Sequence, residues 1–161
     1  MTGLRRSAGL LLFRRKSQLE VLLVHPGGPF WAKRDVGVWS IPKGEYPESE
    51  HPLTAARREV QEETGFTPDG DFLPLGEVKQ AGGKRVTAWA VECDFDAAAI
   101  RSNTFQLEWP PKSGKFREFP EIDRAAWLSL AEAQKKIMPT QAAFLARLAE
   151  LLGLPFGAAT P

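Results

Sequence analysis

A short segment of this chain places three glutamates on one face of a helix. Pro52 and Gly65 bound the segment, and these residue types are typical of the first helical position and of the position just past the last one. Glu59, Glu62 and Glu63 stand at i, i+3 and i+4, so their side chains meet. Because like charges at this spacing destabilise a helix, the cluster indicates a cation bound between the carboxylates.

The opposite side of the same helix is apolar. Leu53, Ala56 and Val60 line the side that faces away from the glutamates. A helix with one apolar and one acidic face packs its apolar side against a core and keeps its carboxylates at the edge of that core. The helix is therefore predicted to be one layer of a larger domain.

The remaining chain is mostly predicted to form strands. The predicted strands cover 7–14, 19–25, 38–41, 73–79, 85–92, 102–109 and 115–119, and two C-terminal helices cover 127–136 and 140–152. This order predicts an α/β fold in which a mixed β-sheet is flanked by helices on both faces. We expect one domain over 1–154 and a short flexible tail over 155–161.

Composition and charge exclude several classes of function. The 161 residues include 21 basic and 20 acidic side chains, so there is no overall positive field and we expect no binding of long nucleic acid. Cys93 is the single cysteine, which excludes an internal disulfide and fits a reducing compartment. No run approaches the roughly 18 apolar residues that span a bilayer. We expect no membrane association, a cytoplasmic location, and a monomer or homodimer.

The spacing between Gly44 and Phe66 matches a known motif. The segment reads G-x5-E-x7-R-E-V-Q-E-E-T-G-F and resembles the Nudix box, G-x5-E-x7-R-E-U-x-E-E-x-G-U, in which U is a bulky apolar residue. Every specified position matches, with Val60 and Phe66 in the U positions. The resemblance implies an αβα sandwich and hydrolysis of a phosphoanhydride bond in a nucleoside polyphosphate, or in a nucleoside diphosphate linked to another group.

The same resemblance implies a set of metal ligands. In the family, residues at the positions of Glu59, Glu62 and Glu63 bind the metal, one of them also serves as general base, and the carbonyl group of Gly44 is a further ligand. Which glutamate is the base stays open. Ligation by carboxylates favours hard divalent ions, so the expected cofactor is Mg²⁺, with Mn²⁺ as a substitute.

Arg58 has two interpretations. It stands four residues before Glu62 and can pair with it, and the resemblance implies that it orients the catalytic glutamates. The alternative is an ordinary pair on the helix surface. Glu50 is interpreted as a structural residue that pairs with Arg58.

Two flanking motifs resemble those of asymmetrical diadenosine tetraphosphate hydrolases and their relatives. Trp39 opens a W-x-x-P-K-G stretch in which Lys43 would offer charge to a phosphate while the indole packs or stacks. Glu121 precedes Trp127 by six residues, as in an E-x5-W element whose glutamate approaches the metal from a loop. Glu121 is thus a candidate fourth carboxylate, and Glu118 is the alternative.

Basic residues cluster beside aromatic residues in two loop-rich segments. Such clusters can bind polyphosphate and stack a base, and the alternative is solvated loop charge with the aromatic residues in the core. Lys115 and Arg117 are the substrate-binding candidates, and the other basic members are Lys33, Arg34 and Lys112.

The expected substrate is a small nucleotide or polyphosphate, with a preference for dinucleoside polyphosphates. Tyr46 is the single tyrosine, so the tyrosine stacking pair common in dinucleoside polyphosphate enzymes cannot form. The alternatives are a nucleoside triphosphate pyrophosphohydrolase, an inositol pyrophosphate hydrolase, and a non-catalytic module that senses a nucleotide.

Overall fold

Strand β1 is the centre of the fold because it pairs with three other strands. The computed structural model describes residues 5–155, and in it β1 spans Arg6–Arg15. It pairs in parallel with β5 (Arg85–Glu92) and antiparallel with β2 (Leu19–Pro26) and β3 (Lys43–Glu45). β3 lies beside the first half of β1 and β2 beside the second half. β1 is therefore paired with other strands along both of its edges.

The remaining strands complete a mixed sheet and form a separate ribbon. β4 (Leu73–Lys79) and β8 (Ile122–Ser129) are the outer strands of the order β4-β5-β1-β2-β8, with β3 beside β1. β1 and β5 are parallel and the other pairs are antiparallel, which confirms the predicted mixed sheet. β6 (Thr104–Glu108) pairs with β7 (Phe116–Pro120) in a two-stranded ribbon outside this sheet.

Helices cover both faces of the sheet. α1 (Pro52–Thr64) begins with the predicted proline and ends at Gly65, whose φ of 83° is a left-handed conformation that glycine adopts without strain. α2 (Leu130–Lys136) and α3 (Ala142–Leu151) lie on the other side. The predicted αβα sandwich is confirmed.

Alternation along β1 separates the two cores. Leu10 and Leu12 pack on the α1 side with Ala56 and Val60. Leu11 and Phe13 point to the opposite face, because successive side chains of a strand alternate. The core on that face includes the α2 and α3 residues Ala133, Phe144, Leu145 and Leu148.

The strand predicted at 38–41 is wrong. Ser40 and Trp39 make isolated bridges to Val24 and Ile137, and the regular strand begins at Lys43. The ladder stops because the side chain of Gln141, rather than a neighbouring strand, accepts the hydrogen bond from the Ile41 N–H at 3.0 Å. The next residue is a proline, which has no N–H to donate.

The helix predicted to begin at Trp127 is also wrong. Trp127 lies in β8 opposite Leu22 of β2, and α2 begins three residues later. Ser129 is the N-cap, since its side chain accepts a hydrogen bond from Glu132 N at 3.2 Å. Pairing with a buried strand decided the conformation of a segment whose apolar residues also fit helical spacing.

Two further predictions concern the C-terminal tail and membrane association. Apart from residue 155, the predicted tail lies outside the described residues. Within the described part of the chain, no helix is both long enough and apolar enough to cross a membrane.

Replacing Gln141 by leucine should destabilise the fold by about 1–3 kcal/mol, because the Ile41 N–H would stay buried without an acceptor. The free energy of unfolding in urea measures this cost. Gln134→Leu is the matched control, since Gln134 is exposed on α2 and the same change there should cost no more than about 0.5 kcal/mol. Equal values for the two variants would contradict the assigned hydrogen bond.

Candidate active site

A close contact between β3 and α1 brings the glutamates to the sheet. A Cβ atom built on Gly44 would overlap the carboxylate of Glu59, so a larger residue at this position would displace that carboxylate from its place beside β3. One residue earlier, the N–H of Lys43 donates to Glu63 Oε1 at 3.2 Å. Glu59 and Glu63 therefore rest on two consecutive residues of β3.

Arg58 pairs with three carboxylates, one before α1 and two on it. Its Nε and Nη2 donate to Glu50 at 3.0 and 2.9 Å, and its Nη1 donates to Glu59 at 2.8 Å and to Glu62 at 3.0 Å. The guanidinium lowers the pKa of Glu50, and the contact with Glu50 is in turn the main cause that raises the pKa of Arg58. The expected pairs with Glu62 and Glu50 are both present, so Arg58 is positioned to orient the glutamates.

Glu63 has the most perturbed carboxyl group of the cluster. Burial raises its pKa to about 8, and the backbone hydrogen bond and charge of Lys43 oppose this shift. Burial also lowers the pKa of Lys43, with the charge of Glu63 acting in the other direction. A cation beside Glu63 would stabilise the ionised carboxylate, so this environment favours metal binding.

Glu121 is the candidate loop carboxylate that the fold brings to the cluster. It lies in the turn between β7 and β8, and its negative charge contributes to the raised pKa of both Glu59 and Glu63. Glu121 and Glu63 line the same cleft. The alternative, Glu118, lies on the exposed strand β7 and does not line that cleft.

The oxygen donors fit a hard divalent ion. Within residues 5–155, no three carboxylate, imidazole or thiolate groups already surround a common metal position. Burial raises the pKa of Glu59, and Arg58 opposes this shift while Glu62 and Glu121 add to it. The mutual repulsion among these carboxylates would be relieved by Mg²⁺ or Mn²⁺. The donor chemistry is therefore suitable, and the contribution of the Gly44 carbonyl stays a prediction.

The carboxylates line a cleft that also has aromatic and apolar walls. Its volume is about 430 Å³, and its lining includes Lys43, Glu63 and Glu121 together with Trp31 and Arg34. The guanidinium of Arg34 lies over the indole of Trp31, 5.2 Å from the ring centroid. The apolar part of the lining includes Val24, Val38, Ile122 and Met138.

Trp39, predicted to bind substrate by packing or stacking, packs in the core. It is 3% exposed, and its Nε1 donates to Asp35 at 2.8 Å. Arg124 and Lys136 lie over its ring at 5.2 and 5.7 Å from the centroid. Stacking on substrate is therefore not available to this ring in the structure, although its neighbours in sequence line the cleft.

Lys115 and Arg117 lie on the β6–β7 ribbon and not in the cleft lining. Both are exposed, and Arg117 lies over the ring of Phe119. The ribbon contacts the loop before β3 through the rings of Phe30 and Trp109, whose centroids are 5.4 Å apart. The role of these two basic residues in substrate binding stays a prediction.

Sequence reasoning missed several residues of the cleft lining, among them Ser40 and Met138. Ser40 lies within the W-x-x-P-K-G stretch, so its place in that motif was a usable signal. Met138 precedes the short turn before α3, and no local pattern relates it to β2 or to α1.

Comparison with known proteins identifies relatives of the chain. A family model described as NUDIX domain matches residues 3–148. Nudix hydrolase 7 of Arabidopsis thaliana is 31% identical over 110 residues, which are 65% of this chain and 38% of that protein. RNA pyrophosphohydrolase of Bartonella henselae is 36% identical over 67 residues, 38% of this chain and 36% of that protein. The matches thus span little more than a third of each curated relative.

Solved structures show the same fold. The C. elegans Ap4A hydrolase in a binary complex has a TM-score of 0.63 at 21% identity, covering 92% of this chain and 98% of that one. The NUDIX domain of Shewanella oneidensis NrtR complexed with ADP ribose has a TM-score of 0.67 at 18% identity, covering 94% and 90%.

The raised pKa of Glu63 predicts a pH-dependent stability in metal-free protein. The folded chain holds a proton that the unfolded chain releases, so the free energy of unfolding should fall as the pH rises from about 5 to about 8. Glu63→Gln should flatten this slope, and Glu150→Gln at an exposed position of α3 is the matched control. Urea unfolding in EDTA at several pH values measures the slope; equal slopes for all three proteins would contradict the assignment.

Proposed function

This chain belongs to the Nudix family, and we propose that it is a pyrophosphohydrolase that cleaves a phosphoanhydride bond in a nucleoside polyphosphate or a linked nucleoside diphosphate. Dinucleoside polyphosphates are the preferred substrates in this proposal. The observation that carries it is the shared lining of one cleft. Glu63 and Glu121 line this cleft as carboxylates, and Trp31 with Arg34 lines it with a surface on which a base can stack.

The metal is proposed to be Mg²⁺, with Mn²⁺ as a substitute. Glu59, Glu63 and Glu121 would hold it, together with Glu62 and the carbonyl group of Gly44 by resemblance. When bound, the ion would neutralise charge on the phosphate oxygens and lower the pKa of a coordinated water.

The protein's own groups supply the rest of the reaction. A water oxygen forms a bond to phosphorus, the bridging P–O bond breaks, and the leaving phosphate departs with the electron pair of that bond. A carboxylate accepts the proton of the water, and Glu59 and Glu63 are suited to this role because burial raises their pKa. Lys43 places a cation beside the substrate phosphates, and Arg58 keeps Glu59 in place.

The names of the relatives support a nucleotide substrate. The similar structures are an Ap4A hydrolase and a domain complexed with ADP ribose, and one curated relative is an RNA pyrophosphohydrolase. The near balance of basic and acidic residues favours small nucleotides over long nucleic acid. Nucleoside triphosphates and inositol pyrophosphates are the alternative substrates, and a non-catalytic sensing role is the alternative to hydrolysis.

A hydrolysis screen tests the proposal. Purified protein with Mg²⁺ is incubated with nucleoside triphosphates, diadenosine polyphosphates, ADP-ribose and inositol pyrophosphates, and the phosphorus products are identified. Diadenosine polyphosphates should give the highest kcat/KM. No turnover of any compound, combined with measurable nucleotide binding, would favour the sensing module.

Hydrolysis should require Mg²⁺ or Mn²⁺ and stop in excess EDTA, and the metal should raise the Tm because only the folded chain gathers the ligands.

Glu62→Gln and Glu63→Gln should each lower kcat by about a hundredfold or more, since they remove charge but little volume. Glu150→Gln, the same change at an exposed position of α3, should leave kcat unaltered. Persistent activity in EDTA, or kcat values within a few-fold of the parent in both variants, would place the chemistry elsewhere.

Neutralising the basic residues near the cleft should chiefly raise KM. Lys43→Met should raise KM by roughly tenfold, because a charge-assisted contact to phosphate is lost. Lys115→Ala with Arg117→Ala should raise KM more as the diadenosine polyphosphate becomes longer, and added salt should weaken this dependence. Lys135→Ala on α2 is the control. A KM series that does not change with chain length would assign the two ribbon residues to solvated surface.

A further inference from the structure

We propose that His25 is a positioning residue that holds the Trp31–Arg34 wall of the cleft at a fixed distance from the Glu121 turn. This inference rests on the proposed function, because it concerns how two parts of the lining of the same cleft are held at a fixed distance from each other. The histidine lies near the end of β2 and is fully buried. The sequence marked it only as part of a predicted strand.

The imidazole bridges two segments that are far apart in the chain. Its Nε2 lies 2.6 Å from the carbonyl oxygen of Arg34, and its Nδ1 lies 2.9 Å from Asp123 Oδ1. Each partner offers an acceptor oxygen within hydrogen-bond distance of one ring nitrogen. The ring also packs edge-on against Trp39, with centroids 5.2 Å apart. A buried polar group that is bonded on both sides resists displacement, because either lost bond leaves an unsatisfied group.

On one side, His25 fixes the loop that carries the stacking surface. The loop between β2 and β3 contains internal turns, in which Trp31 N donates to Gly28 O at 3.4 Å and Arg34 N donates to Trp31 O at 3.0 Å. These bonds shape the loop but do not tie it to the sheet, whereas the Arg34 carbonyl is bonded to a side chain of β2. A second anchor runs from Trp39 Nε1 to Asp35. The loss of His25 should therefore loosen the loop without releasing it completely.

On the other side, His25 fixes the start of β8 next to Glu121. The β2–β8 register shifts after His25, which pairs with Arg124 while Pro26 pairs with Ile122, so Asp123 is the extra residue of a bulge. The His25–Asp123 contact therefore holds a bulge beside the cleft, where such irregularities commonly redirect side chains.

A second contact from the same end of β2 holds the Glu121 turn. The N–H of Gly27 donates to the carbonyl oxygen of Glu121 at 2.8 Å. A Cβ atom on Gly27 would overlap the carbonyl oxygen of Pro120, so the approach requires glycine. Residues 25 to 27 thus contact the Glu121 turn and the start of β8, and among these three residues His25 also contacts the loop between β2 and β3. The distance between the phosphoanhydride bond that is cleaved and the base that is bound therefore depends on the contacts of residues 25 to 27.

Kinetics of His25→Phe test the positioning role, since phenylalanine keeps the ring packing and removes both hydrogen bonds. KM for diadenosine tetraphosphate should rise about tenfold, the loss expected for one weakened base stack, with a smaller change in kcat. The Ki of inorganic tetraphosphate, which has no base, should stay unchanged. Ser129→Ala, which removes the α2 cap away from the cleft, controls for general destabilisation. Equal changes in KM and Ki, or the same KM change in the control, would overturn the proposal.

Limited trypsinolysis provides a readout that needs no substrate. Lys33 and Arg34 are exposed cleavage sites within the loop, so cleavage there should accelerate in His25→Phe and not in Ser129→Ala. Asp123→Asn keeps an acceptor oxygen and should behave as the parent, while Asp123→Ala should be intermediate. If His25→Phe does not fold, His25→Gln, which keeps one donor arm, replaces it. Unchanged cleavage in the folded variant overturns the positioning role, whereas a protected loop in a parent protein without turnover overturns the proposed function alone.

Discussion

The close approach of β3 to α1 at Gly44 and Lys43 positions the acidic helix on the sheet. Gly44 leaves room for the Glu59 carboxylate, and the same strand donates the Lys43 N–H to Glu63. β3 is also paired with the first half of β1, the strand at the centre of the sheet. The acidic side chains are therefore held in place by a strand that pairs with β1, the most buried strand of the molecule, rather than by a surface loop.

The charges of the site are divided between carboxylates that Arg58 pairs with and carboxylates that it does not. Arg58 pairs with Glu50, Glu59 and Glu62. On the cleft side, Glu63 faces Glu121 and has Lys43 as its neighbouring cation. The repulsion left in the metal-free protein is therefore concentrated where a cation and an anionic substrate are proposed to enter. This division gives Arg58 a role different from that of a surface ion pair, whose contribution is generally small.

Features that depend on nearby residues were predictable from the sequence, and features that depend on distant partners were not. The spacing of Glu59, Glu62 and Glu63 defines their face through helix geometry alone, and the sandwich follows from the order of the elements. Trp127 was assigned to a helix because its strand pairing depends on β2, about a hundred residues earlier in the chain. The burial of Trp39 likewise depends on Asp35, Arg124 and Lys136, and no local pattern brings these together. His25 has one of its two partners 98 residues away.

The β6–β7 ribbon has a consequence for how this architecture can change during evolution. Its strands bond to each other and not to the six-stranded sheet, and it touches the rest of the molecule through ring contacts such as Phe30 with Trp109. An insertion or deletion at its tip would leave the register of every main-sheet strand intact. The ribbon beside the Phe30 loop can therefore be lengthened, shortened or recharged while the acidic helix keeps its place. Proteins with this fold can in this way differ in the ribbon while they keep the same core.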